Sequence, residues 1–130
     1  MIGLDTNILV RYFSQDNPEQ SARATAIIEQ QLSKDNPGFI SSVVMVETVW
    51  TLTRAYKMKP EEIMPIIKEL TNADDIQLEH QEETWKAHQL CLQGVDFADA
   101  LLGAIHRKHG CAYTLTFDRN ALRSDLFKAA

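Results

Sequence analysis

The chain has 130 residues, 45% of them hydrophobic, and a formal net charge of -5. That length suits one domain spanning residues 1–130, and the apolar share supports a buried core, which excludes disorder. The acidic balance argues against a non-specific nucleic-acid coat, though not against an enzyme that approaches a polyanion through bound cations. No apolar run approaches the ~20 residues needed to cross a bilayer, and the N-terminus lacks a basic region and a cleavage site. A cytoplasmic protein with no membrane attachment is therefore expected. Cys91 and Cys111 form no CxxC pair, which fits reduced thiols used as filler rather than a disulfide or zinc framework.

Met1–Leu4 reads as a strand ended by Asp5. A lone buried acid is costly unless something neutralises it, so Asp5 either turns the chain into a helix or helps to hold a cation. Asn17 and Pro18 form a helix start, with Asn as cap and Pro in the first turn. Thr25, Ile28 and Leu32 then recur at helical spacing, which carries that helix to about Ser33. "DNPG" at 35–38 is a turn, and "FIS" is a short strand leading to Ser41 or Ser42 as the next cap. Val43, Val46, Val49, Trp50 and Thr53 make a broad apolar face on the helix that follows.

A further helix starts near Pro60 with Ile63, Ile66, Ile67 and Leu70 on one side. Pro65 inside it predicts a kink or a late start. "IQLE" at 76–79 reads as a strand. Trp85, His88 and Leu92 share a stripe on the next helix, which Gly94 ends. Asp96 caps another helix, with Ala98, Leu101, Leu102 and Ile105 as its apolar face and Gly110 at its C-terminus. "CAYTLTF" is a strand ended by Asp118, and a last amphipathic segment carries Ala121, Leu122, Leu126 and Phe127.

Strands alternating with helices imply a mostly parallel sheet covered on both faces, and such sheets bind ligands at the carboxyl ends of their strands. Asp5 and Asp118 stand at predicted strand ends. Glu47 lies one to two turns into a helix that follows a strand, and Asp99 lies in the first turn after Asp96. Singly, each has a plain reading: Asp5 and Asp96 as caps, Glu47 on a solvated face, Asp99 favoured by the helix dipole, Asp118 closing an Asx turn in "FDRN". Together, four carboxylates at one edge repel unless a cation neutralises them. Oxygen-only donors favour Mg²⁺ or Mn²⁺. His106 and His109 read as surface residues, not zinc ligands. A carboxylate-held Mg²⁺ activates water and stabilises charge on a phosphoryl group, which is nuclease or phosphatase chemistry.

"GLDTNILV" at 3–10, "VETVWTL" at 46–52, "DFADALLGAIHRKHG" at 96–110 and "LTFDRNAL" at 115–122 resemble, in that order, the motifs of PIN-domain ribonucleases. More narrowly they resemble VapC-type toxins of prokaryotic toxin–antitoxin pairs. The resemblance implies a three-layer α/β/α sandwich with a mostly parallel central sheet and an acidic pocket for Mg²⁺ or Mn²⁺. Asp5, Glu47, Asp99 and Asp118 match the catalytic, metal-holding acids, and Asp96 matches a peripheral ligand through water. Thr6 and Asn7 match the polar pair after the first aspartate, with Asn7 orienting Asp5. Thr116 is a candidate to hydrogen-bond the same pocket.

The resemblance further implies RNA as substrate, a homodimer, and a small antitoxin that wraps apolar grooves such as "PEEIMPIIKEL" and the Trp50–Leu52–Tyr56 side. Arg11, Arg54 and Arg119, with Lys57, Arg107 and Lys108, are the candidates to guide RNA. A haloacid-dehalogenase-type phosphatase would need an aspartate where Asn7 stands, and a phosphate-receiver domain lacks its acidic pair and lysine here. The rival from another class is a non-catalytic PIN-like module that binds RNA or a protein partner.

Overall fold

Short strands end where helices begin in the computed structural model, which describes residues 1–130. The chain is α/β, with six helices and only parallel strand pairs, as the alternation predicts. It divides into two compact units, Met1–Glu79 and His80–Ala130. No helix is long and apolar enough to cross a membrane.

In the first unit the order is β1 (Ile2–Gly3), α1 (Thr6–Ser14), α2 (Pro18–Ala26), a π-helical turn (Ile27–Gln31), β2 (Gly38–Ile40), α3 (Ser42–Arg54), α4 (Pro60–Asn72) and β3 (Ile76–Leu78). The sheet runs β1-β2-β3, with Ile2 opposite Gly38 and Gly38 opposite Ile76. Parallel strands put all three carboxyl ends at one edge, and the chain turns into a helix at that edge after β1 and β2. Asp5 caps α1 by accepting from the Thr6 N–H, and Ser41 caps α3 by accepting from the Val44 N–H. The backbone N–H of Ser42 also donates to Glu79 Oε1, just past β3, at 2.9 Å.

Helix α1 realises the reading in which Asp5 turns the chain into a helix. Its β-branched and aromatic run hides the buried set Thr6, Leu9 and Val10, which sits at i, i+3 and i+4. The helix begun at Asn17–Pro18 becomes α2 and relaxes into the π turn before Leu32, whose N–H reaches back to Ile27. On α3 the expected face is wrong. Met45, Thr48 and Leu52 are buried, whereas Val43 is 66% and Trp50 60% exposed. Helix α4 does start at Pro60, with Ile63, Ile67 and Leu70 buried as predicted and Ile66 only half-buried. It runs on through Pro65 without a late start. The missing Pro65 N–H deprives the Glu61 carbonyl of a partner, and both residues are exposed, where water can serve instead.

The second unit holds α5 (Gln81–Leu92), α6 (Phe97–Lys108), β4 (Thr114–Thr116), a 3-10 turn (Ala121–Arg123) and β5 (Phe127–Ala129). α5 packs along α6, and β4 pairs β5 in parallel with Thr114 opposite Phe127. Trp85 stacks on His88 with ring centroids 4.7 Å apart, but Leu92 is exposed, so the predicted stripe stops short. Cys91 is buried, and burial first, then the nearby Asp96 charge, pushes its thiol up to about 12. Cys111 is exposed.

Gly94 and Gly110 close α5 and α6 with φ of 93° and 94°, the left-handed region that glycine enters freely. On α6 the buried set is Phe97, Ala100, Leu101 and Ala104, one step from the face expected, and Leu102 is exposed. The step follows from packing: Ala104 joins Ala121, Leu126 and Phe127 in a buried cluster. Gly103 lies against the same wall, where a Cβ would sit 2.8 Å from Phe127 Cε2. "CAYTLTF" contracts to three strand residues, and the last amphipathic segment is a 3-10 turn and a strand.

Gly103→Val should therefore lower stability by about 1–3 kcal/mol through overpacking, whereas Leu102→Gln should change it by less than about 0.5 kcal/mol. Urea denaturation of both variants tests this register; equal losses would place α6 on the other face.

Candidate functional site

Two groups of acids stand at the helix starts. In the first unit Asp5 is the α1 cap and Glu47 lies one turn into α3. Thr6 joins them. Its backbone N–H donates to Asp5 Oδ1 at 2.8 Å, and its hydroxyl donates to Glu47 Oε2 at 3.4 Å. Thr6 is buried while Asn7 is exposed, so the residue bridging this pair is Thr6. The sequence pattern could have favoured it: a hydroxyl in the first turn of a helix points back toward the cap, and position 7 turns away.

In the second unit Asp96 caps α6, its Oδ2 accepting from the Asp99 N–H at 3.2 Å. Asp99 is half-buried, and Asp118 lies just past β4. Burial, then the Asp96 and Asp118 charges, then a hydrogen bond with the Asp118 carboxyl, hold Asp99 above the usual carboxylate range. A carboxyl–carboxyl hydrogen bond requires a proton on one partner.

Asp118 is held by its own turn. Thr116 Oγ1 accepts from the Asp118 N–H at 3.0 Å, and Asp118 Oδ1 accepts from the Asn120 N–H at 2.8 Å. The latter is the Asx turn read in "FDRN". Asn120 then reaches across to the start of α6. Its Oδ1 accepts from the Asp96 N–H and its Nδ2 donates to the Gly94 carbonyl, both at 2.9 Å. One amide side chain therefore ties the β4 turn to the loop carrying Asp96 and Asp99. The sequence reading missed Asn120; its place two residues after an Asx-turn aspartate was the available signal.

The candidate basic residues are partly committed elsewhere. Arg11 donates through Nε to Gln20 at 2.7 Å and through Nη1 to the Tyr56 hydroxyl at 2.8 Å, and pairs with Asp16 at 3.2 Å. The Tyr56 and Ser14 hydroxyls, with Arg11, keep Asp16 below the usual carboxylate range. Arg54 lies 5.9 Å from the Trp50 ring, Arg107 pairs with Asp125 and Lys108 with Glu83, whereas Arg119 and Lys57 are exposed. His106 shares a 2.8 Å hydrogen bond with Thr114 Oγ1.

As donors for a metal, Asp96, Asp99 and Asp118 offer only hard oxygens and an excess of negative charge, which fits Mg²⁺ or Mn²⁺ in kind. No three His, Cys, Asp or Glu side chains are gathered where they could hold a metal ion.

The family model described as PIN domain matches residues 2–125, and the chain belongs to the PIN-domain family. This is a nuclease-type fold, generally dependent on divalent metal. No curated protein and no solved structure matches the chain significantly.

Because Asp99 binds its proton more tightly folded than unfolded, it opposes folding at neutral pH, and this is relieved as pH falls through its raised value. Asp99→Asn should accordingly melt above the wild type at neutral pH without metal, with the gap closing toward acid. Thermal melts across pH check this; a lower Tm at every pH would contradict it. Asn120→Ala, which loses two side-chain hydrogen bonds, should cost about 1–3 kcal/mol in urea denaturation.

Proposed function

We propose that this PIN-domain chain is a metal-dependent endoribonuclease that hydrolyses RNA phosphodiester bonds, with Asp5, Glu47, Asp99 and Asp118 as its catalytic acids. The observation that carries the reading is the PIN-domain match over residues 2–125, and it is supported by the half-buried Asp99, which burial first and the Asp96 and Asp118 charges next hold above the usual carboxylate range. Mg²⁺ or Mn²⁺ held there would supply the charge that activates water and offsets the developing charge on the scissile phosphate.

The chain's own residues prepare the site. Asp96 fixes the first turn of α6 and so sets where Asp99 projects. Thr116 and Asn120 hold Asp118. Thr6 orients Asp5 and Glu47 together. Ligands already pinned by hydrogen bonds lose little freedom when a cation arrives. Arg119, exposed one residue past Asp118, is the best-placed candidate to meet a phosphate.

The motif resemblance supports the narrower role of a VapC-type toxin, acting in the cytoplasm as a homodimer and silenced by a small antitoxin. The exposed Val43 and Trp50 on α3 are consistent with a surface that a partner covers.

The test is cleavage of a panel of structured RNAs by the purified protein with Mg²⁺, Mn²⁺ or EDTA, beside Asp5→Asn and Asp99→Asn. Cleavage should require metal and fall by at least about 100-fold in each variant, while both stay folded by circular dichroism. Equal cutting by wild type and variants would mark a contaminant. Metal and RNA binding without cutting would favour the non-catalytic module.

A further inference from the structure

The first unit holds a cavity of about 380 Å³ at the amino ends of its strands, away from Asp5. Helix α1 starts at the carboxyl ends, and Tyr12 lies two turns further on, about 10 Å along the axis. Tyr12 and Phe13 line the cavity with their rings packed edge to face, centroids 5.0 Å apart. Leu70 and Ile76 supply buried apolar lining. Three acids complete it: Glu29 from the π turn, Glu69 from α4 and Asp75 before β3. No lining residue is basic. None of the three carboxylates has an ion pair or a side-chain hydrogen bond within the chain. Burial first, then the Glu29, Glu69 and Asp75 charges, hold the Tyr12 hydroxyl above the ordinary tyrosine range. All three charges therefore bear on one aromatic side chain, yet they are not gathered where they could hold a metal ion.

We infer that this cavity binds an organic cation, a guanidinium or ammonium group carried on an apolar stem. Each part of the lining has a counterpart in such a ligand. Separated carboxylates suit a charge spread over several N–H donors better than a point ion. Aromatic faces attract a cation through the ring quadrupole. The apolar lining covers the stem, as apolar surface does for the stems of long basic side chains. The volume falls among small-molecule sites, which span about 300–1,000 Å³. An anion would meet three like charges and no basic residue, and a neutral apolar ligand would desolvate the acids without compensation. A free small cation and an arginine side chain of a partner offer the same chemistry. None of the proposed catalytic acids lines the cavity, so the inference stands apart from the nuclease reading.

Isothermal titration of the full chain with butylguanidine at low ionic strength tests this, beside butylurea, its neutral isostere. Butylguanidine should bind with a Kd of about 0.1–1 mM, and butylurea at least about tenfold more weakly. Glu29→Gln and Glu69→Gln should each weaken butylguanidine about threefold, and both together about tenfold. Tyr12→Phe, which keeps the ring, should bind as the wild type does, and Tyr12→Leu about fivefold more weakly. Asp99→Asn should leave the affinity unchanged, because that acid belongs to the other unit. Circular dichroism checks the fold of every variant, and the two exposed glutamates carry the test if Tyr12→Leu does not fold. N-acetyl-arginine methylamide separates the sources. Affinity equal to or above that of butylguanidine assigns the cavity to a partner's arginine side chain, and weaker affinity assigns it to a free small cation. Equal affinity for butylurea, a loss in Asp99→Asn with none in the glutamate variants, or no binding by the wild type would each overturn the inference.

Discussion

Like charges do not gather unaided, and the second unit is organised around that difficulty. Asp99 sits half-buried between two other carboxylates, where it retains a proton more readily than a free aspartate does. The arrangement persists because hydrogen bonds from Thr116 and Asn120, and the cap made by Asp96, fix the backbone on which these acids ride. Carboxylates perturbed in this way cluster at functional sites. The chain belongs to the PIN-domain family, whose nucleases generally use divalent metals.

The first unit solves a milder form of the same problem. Asp5 is exposed, and as a helix cap it is stabilised by the N–H it accepts and by the dipole of α1. The alternatives posed by the sequence, a cap or a metal-holding acid, are not exclusive. A cap carboxylate uses one lone pair on the backbone and keeps others for a ligand. Thr6 makes the pairing economical, since one residue touches both Asp5 and Glu47.

The caps and turns were legible because each depends on one residue and its immediate neighbours. Asn17, Ser41, Asp96 and Gly110 stand where the local chemistry put them, and so does the Asx turn at Asp118. The buried faces were harder. On α3 and α6 the bulky apolar residues drew the expected face, yet the structure buries Thr48 on one and Ala100 with Ala104 on the other. Close packing rewards the residue whose shape fits, and hydrophobicity alone does not reveal fit. Asn120 escaped for a related reason: its partners Gly94 and Asp96 lie 26 and 24 positions away, and no local rule connects them.

The two cysteines differ more than their bland reading suggested. Cys91 is buried with a thiol that stays protonated far above neutrality, while Cys111 lies exposed in the segment that leads into β4. Of the two thiols, only that of Cys111 is open to a reagent in solution. The wild-type chain comes with a single natural attachment point for a maleimide dye or spin label. That point lies a few residues before Asp118, so events at the β4 turn can be followed without engineering a cysteine or disturbing the core.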